Sequence, residues 1–284
     1  MSLIKQVLTL TTLLFLISAS PNKQNTPSIL KLNAIKPLPR ITLSTRNTLS
    51  FNQVFTKRSI TKLQFDLLRM SLKLSPKEPI YLVLYTPGGY VDPGLRLFET
   101  IASIPQEVKT ITIFAASMGF HLVQNAGERL ATPYSALMSH RPSMGIKGEY
   151  FGELNVRLKH AEAKFNRMDQ VVSNRIGMPL ADYRKLIADE YWIHGFAAKR
   201  DNMIDRVVIP KCDASLQGTY TQLVSTFFGK FYVTYSKCPL LTYPLKVSTK
   251  KPRMLKLFNS FYTNPSDFYK KYIKNNECKK IFRN

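Results

Sequence analysis

Ser117 stands in Phe114-Ala115-Ala116-Ser117-Met118-Gly119, behind the short β-branched run that starts at Val108. Such a run reads as a buried strand, and the small residues after it let the chain turn before Phe120-His121-Leu122-Val123 resumes as a helix. A serine at a strand-to-helix turn can act as a nucleophile favoured by helix-end N–H groups, or it can merely cap the helix. As a nucleophile it needs a base within hydrogen-bond reach. Two other stretches bear on that chemistry. Ile80-Tyr81-Leu82-Val83-Leu84 leads into Tyr85-Thr86-Pro87-Gly88-Gly89, where two glycines permit positive φ and a close backbone approach to a ligand, or simply form a turn. Ser135-Ala136-Leu137-Met138-Ser139 ends at His140-Arg141-Pro142, and a lone histidine there is ordinarily structural.

Taken together, strand-Thr-Pro-Gly-Gly, Ala-Ala-Ser-Met-Gly and Met-Ser-His-Arg-Pro resemble, in order and spacing, the proteolytic subunit of the Clp protease and its relatives. Gly127-Glu128-Arg129 ahead of Pro133, and Gly145 and Gly148 after the histidine, fit as well. The resemblance runs from about Ile60 to Val208. It implies a crotonase-type α/β fold, with a parallel-rich sheet, right-handed β-β-α units and a long handle helix that joins subunits. It implies a serine endopeptidase in which His140 is the base for Ser117, and the backbone N–H groups of Gly89 and Met118 receive the oxyanion. Tyr90 and Val91 would then offer an extended edge to a substrate strand. His121, one turn along from Ser117, is expected to point elsewhere; His160 falls in the handle helix and His194 follows Trp192.

The base also needs an orienting carboxylate. The resemblance implies an aspartate just ahead of the last helix-and-strand segment; counting back to that place from Asp205 without gaps gives Glu190, and allowing one insertion gives Asp189. Two rival readings stay open, a crotonase-type acyl-CoA enzyme and a catalytically inactive Clp-like scaffold or binding protein. No cofactor or metal is implied.

The elements that must position these residues follow from periodicity. Ile41 to Phe55 reads as extended, and Ser59 to Leu72 as an amphipathic helix. Strand Ile80 to Tyr85 comes next, then a helix from Pro93 to Ile104 and strand Val108 to Phe114. The Ser117 helix and strand Ser135 to Ser139 lead to a long helix over Glu149 to Ile176. A short helix from Met178-Pro179 and a last strand, Ile204 to Ile209, complete the pattern. Alternation of helix and strand predicts a parallel-rich sheet with right-handed crossovers.

The chain has 284 residues, 44% of them hydrophobic, enough for one sizeable α/β domain with appendages. Its net charge of +23 predicts attraction to anionic lipid, nucleic acid or acidic protein. Residues 1–20 have a secretory layout: Lys5, an apolar stretch from Val7 to Ile17, then Ser18-Ala19-Ser20. That predicts an exported protein, with a cytoplasmic one as the alternative if the leader is not real. Residues 21–40 read as a linker, 41–210 as the peptidase domain and 211–284 as an extension. The extension holds fourteen Lys and Arg against three Asp and Glu, with aromatics interleaved. It could rest on an anionic membrane surface or pack as a satellite subdomain. Cys212, Cys238 and Cys278 lack metal spacing, and their odd number leaves at least one unpaired within the chain. Expected partners are a peptide or unfolded-protein substrate and further copies of the chain; an ATPase partner is not expected for an exported protein.

Overall fold

The computed structural model describes residues 37–149, 152–226 and 229–250. The leader, the linker up to residue 36 and residues 251–284 of the extension lie outside the described residues. Among the described residues no helix is long and apolar enough to cross a membrane.

The protein is mixed α/β, built on a sheet of order β2-β3-β4-β5-β6. Its strands are β2 (Thr48–Phe51), β3 (Ile80–Thr86), β4 (Val108–Ala116), β5 (Glu128–Ser139) and β6 (Tyr191–His194). The first three pairings are parallel, and β6 runs antiparallel to β5. Between the parallel strands lie α1 (Lys57–Ser71), α2 (Val91–Ser103) and α3 (Met118–Gln124). The expected parallel-rich alternation is therefore present. Differences are local. The stretch Ile41 to Phe55 splits into β1 (Arg40–Leu43) and β2, and the helix expected from Pro93 begins two residues earlier, at Val91.

Both faces of the sheet are covered, which is why β3 reads as an almost unbroken apolar run rather than an alternating one. On one face Ile80, Leu82 and Leu84 pack with Leu63 and Leu67 of α1 and Leu97 of α2. The long helix α4 (Glu153–Ile176) adds Met168, Val172 and Ile176, spaced so that they share one side. On the other face Val83, Ile111 and Leu130 meet Leu43, Val208 and Leu216. After α5 (Leu180–Leu186), β6 and α6 (Gly195–Arg200), the single expected last strand is two. The first, β7 (Arg206–Val207), pairs in parallel with the first half of β5; the second, β8 (Ile209–Cys212), pairs in parallel with β1. The chain then forms an antiparallel sheet of β9 (Thr219–Thr226), β10 (Gly229–Ser236) and β11 (Lys246–Ser248). A disulfide between Cys212 and Cys238 ties this sheet to β8.

β5 is much longer than Ser135 to Ser139, because the chain bulges in its middle. Thr112 of β4 pairs with Ala131 and Phe114 with Ala136, so Thr132-Pro133-Tyr134-Ser135 face one residue. Proline is tolerated at such a bulge, and its presence hid the first half of the strand. That half is held by Arg129, which is 2% exposed. Its guanidinium donates to Asp205, to Gln124 Oε1 at 2.8 Å and to the Asn202 carbonyl at 2.9 Å, while its backbone N–H donates to Asp205 Oδ2 at 2.8 Å. Burial alone would raise the Asp205 carboxyl, but the bonds from Arg129 outweigh it and hold the group below the usual carboxylate range. Removing one partner of a buried pair leaves the other uncompensated. Arg129→Met is therefore expected to lower unfolding stability by about 3 kcal/mol, read from the urea midpoint.

Candidate active site

β4 ends at Ala116 and α3 begins at Met118, so Ser117 alone makes the turn. It does so at φ 55° and ψ −120°, a positive φ that a residue with a side chain rarely adopts. The turn is pinned by its own backbone: Ser117 N–H donates to the Met138 carbonyl at 2.8 Å, and Phe120 N–H donates to the Ser117 carbonyl at 2.9 Å. The Ser117 hydroxyl makes no helix-capping bond. It lies 2.8 Å from Nε2 of His140.

His140 follows directly on the end of β5. Adjacent parallel strands thus bring the serine turn of β4 and the histidine of β5 to the same sheet end. Its neighbour Ser139 is buried and shares a 2.9 Å hydroxyl bond with Tyr183 of α5, which fixes the strand end. Burial pushes the Tyr183 phenol up, so it stays neutral there.

The Gly88-Gly89 turn sits against the serine turn. Gly88 has φ +88°, and a Cβ on it would lie 2.5 Å from the Ala116 carbonyl oxygen and 2.7 Å from Met118 N. Thr86 shapes the turn, accepting from Gly88 N–H at 3.1 Å and donating to the Gln53 carbonyl at 2.6 Å. Phe55 clamps it from outside, donating to the Gly88 carbonyl at 2.7 Å and accepting from Tyr90 N–H at 2.9 Å. Among the described residues no acceptor is bonded to the N–H of Gly89 or of Met118. Tyr90 is extended, but Val91 opens α2 instead of continuing an edge strand.

Beside Ser117 is a small pocket lined by Val91, Met118, Pro142, Phe165, His121, His140, Met168 and Asp169. His121 does not point away from the site, as its helical offset suggested; it forms part of this pocket's wall. Burial, and then the nearby charge of His140, push its pKa down to about 4. α4 closes the pocket and is held there by Lys164, which bonds Asp92 at 2.7 Å, and by Arg184, which bonds Asp169 at 3.1 Å. His160 and His194 are exposed and line no part of it.

Neither expected carboxylate meets His140. Asp189 and Glu190 are both exposed, and Glu190 Oε2 accepts from Trp192 Nε1 at 3.0 Å. The carboxylate that does border the pocket is Asp169, on α4. Nothing local marks it in the sequence, because α4 is charged along most of its length and only packing selects this residue. Among the described residues no group of His, Cys, Asp and Glu could hold a metal ion.

The sequence profile of the Clp protease family matches residues 42–211. The chain is similar to the ATP-dependent Clp protease proteolytic subunit 1 of Gloeobacter violaceus, with 32% identity over 136 residues, 47% of this chain and 68% of that one. It is 31% identical to proteolytic subunit 3 of a Synechococcus species over 134 residues, 46% of this chain and 67% of the relative. It is 30% identical to proteolytic subunit 2 of Prochlorococcus marinus over 141 residues, 49% of this chain and 70% of the relative. A match across more than half of the chain, over the strands that carry Ser117 and His140, shows that the protein belongs to the Clp protease family of peptidases.

Proposed function

We propose that the protein is a serine endopeptidase acting through Ser117 and His140. The observation that carries this reading is the 2.8 Å contact between the Ser117 hydroxyl and His140 Nε2. His140 takes the hydroxyl proton as Ser117 Oγ attacks the scissile carbonyl, then gives it to the leaving amine; water releases the acyl group by the reverse sequence. Negative charge builds on the carbonyl oxygen, and the N–H groups of Gly89 and Met118 are the donors suited to receive it. Each such donor is worth about 3–4 kcal/mol of transition-state stabilisation. The chemistry rests on the Ser–His pair, and Glu190, or Asp189 one residue earlier, is the carboxylate that the family likeness would add to it. Substrates are peptides or unfolded chains. Assembly of several copies belongs to the same reading, since the relatives are named as subunits and α4 exposes Val156 and Leu158.

The Cys212–Cys238 disulfide supports an exported protein, because such bonds persist in oxidising compartments. An exported peptidase would work without an ATP-driven partner, although its relatives are named ATP-dependent. Mass spectrometry of the native protein under non-reducing conditions is expected to recover peptides linked through Cys212 and Cys238. Two free thiols would remove this support.

Ser117→Ala and His140→Ala are each expected to lower peptide hydrolysis by a factor on the order of 10⁶, with unchanged circular dichroism. Ser117 is expected to react with a fluorophosphonate probe; no labelling would favour an acyl-CoA enzyme or an inactive scaffold. Glu190→Gln and Asp189→Asn are expected to change kcat by less than about tenfold, since neither carboxylate is bonded to His140. A hundredfold loss in one of them would identify a third member.

Gly88→Ala tests the backbone contact. The added carbon must displace the serine turn, and misplacement of about 1 Å costs about a hundredfold in rate. Hydrolysis by Gly88→Ala is expected to fall by that factor, measured with the same peptide.

A further inference from the structure

The pocket beside Ser117 is not uniformly apolar. Val91, Met118, Pro142, Phe165 and Met168 form its sides, while His121 and Asp169 put two polar side chains into the same wall. His121 is 9% exposed, and among the described residues its ring makes no hydrogen bond. Asp169 is 15% exposed at its side chain; Oδ2 accepts from Arg184, while Oδ1 has no bonded partner among the described residues. The pocket is partly open and small, with about 20 Å³ accessible to the centre of a water-sized group.

We propose that this pocket receives the substrate side chain on the acyl side of the scissile bond, and that His121 and Asp169 make it select a short side chain ending in a hydroxyl over an aliphatic or aromatic one. The proposal rests on the serine-peptidase reading, because the nucleophile defines which side chain lies there. Ser117 and Met118 border the pocket, so a side chain next to the attacked carbonyl lies within reach of it. A buried polar group left without a partner costs about 1–3 kcal/mol. An aliphatic side chain would dry the pocket and leave both the His121 ring and Asp169 Oδ1 unbonded. A seryl or threonyl hydroxyl can donate to Asp169 and also exchange a bond with the neutral His121 ring, which offers one donor and one acceptor nitrogen. Asp169 cannot swing fully toward His140 without losing Arg184, so it is better placed as pocket wall than as orienting carboxylate.

The test uses the full chain and fluorogenic peptides that differ only at the residue preceding the cleaved bond: Ser, Thr, Leu or Phe. For the wild-type protein kcat/KM is expected to be about tenfold or more higher with Ser or Thr than with Leu or Phe. His121→Phe is expected to reverse that ratio, while His121→Gln, which keeps a donor and an acceptor, retains it. Asp169→Asn is expected to narrow it. Fluorophosphonate labelling of Ser117 is followed in parallel. Labelled wild-type protein that prefers Leu or Phe overturns the pocket assignment alone, as does a ratio that His121→Phe leaves unchanged. Absence of both labelling and cleavage overturns the peptidase reading, and this one with it. If His121→Phe does not fold, the wild-type ratio and Asp169→Asn decide the matter.

Discussion

Two backbone turns approach so closely that no side-chain carbon fits between them. A Cβ on Gly88 would lie 2.5 Å from the carbonyl oxygen of Ala116, at the very residue where β4 gives way to the serine turn. This contact exists because β3 and β4 are parallel neighbours and end together. It brings the glycine turn against the backbone nitrogen of Met118. It also holds Ser117 at positive φ, which turns its hydroxyl away from a capping role and leaves it to His140. β5, the next parallel neighbour of β4, supplies that histidine. The site is therefore a property of three adjacent strand ends, and the rest of the chain keeps those ends in place. Thr86 and Phe55 do so from one side, Met138 and the Ser139–Tyr183 bond from the other.

Much of this was legible in the sequence, for a physical reason. Strands buried on both faces are rich in apolar and β-branched residues, so β3 and β4 stand out, and the small residues at their ends mark where backbones must touch. Ser117, His140, Gly89 and Met118 all lie within a few residues of such ends. What was not legible depends on packing across long separations. The bulge of β5 around Pro133 has the composition of a turn and conceals a strand. Helical offset alone turns His121 away from Ser117. In the structure α4 folds back over α3, and the space between them becomes the pocket. Asp169 gives no local signal at all. Glu190 and Asp189, the carboxylates expected just ahead of β6, are exposed, and Glu190 bonds Trp192 rather than His140.

The extension beyond Lys211 has a similar history. Its charge suggested an anionic partner, yet the described part buries apolar surface. Leu216 is 6% exposed and packs with Val83 and Ile111, partly buried Cys238 and Leu240 join the same cluster, and Tyr243 bonds the Tyr85 hydroxyl at 3.0 Å. A sheet whose strands are apolar on both sides needs a cover on each. Helices supply one; β1, β8 and the chain after them supply the other. The aromatic rings of Tyr243, Tyr85, Phe114 and Trp192 follow one another across that second face, each 5.6–6.2 Å from the next. Within this cover the Cys212–Cys238 disulfide ties the later chain to β8, and ring contacts fasten it over β3 and β4.

That fastening bears on the site, because Tyr85 immediately precedes Thr86 and the glycine turn. The same strand end carries the ring contact to Tyr243 on one face and the Thr86 bond to the Gln53 carbonyl on the other. Sequence position alone would make the extension an appendage. The packing makes it a second support for the strand end that aims Gly89, placed opposite the helices that enclose the pocket. The two faces of the sheet therefore differ in what covers them: α2, α3 and α4 enclose the pocket beside Ser117, and the extension packs against the strand end that leads into the glycine turn.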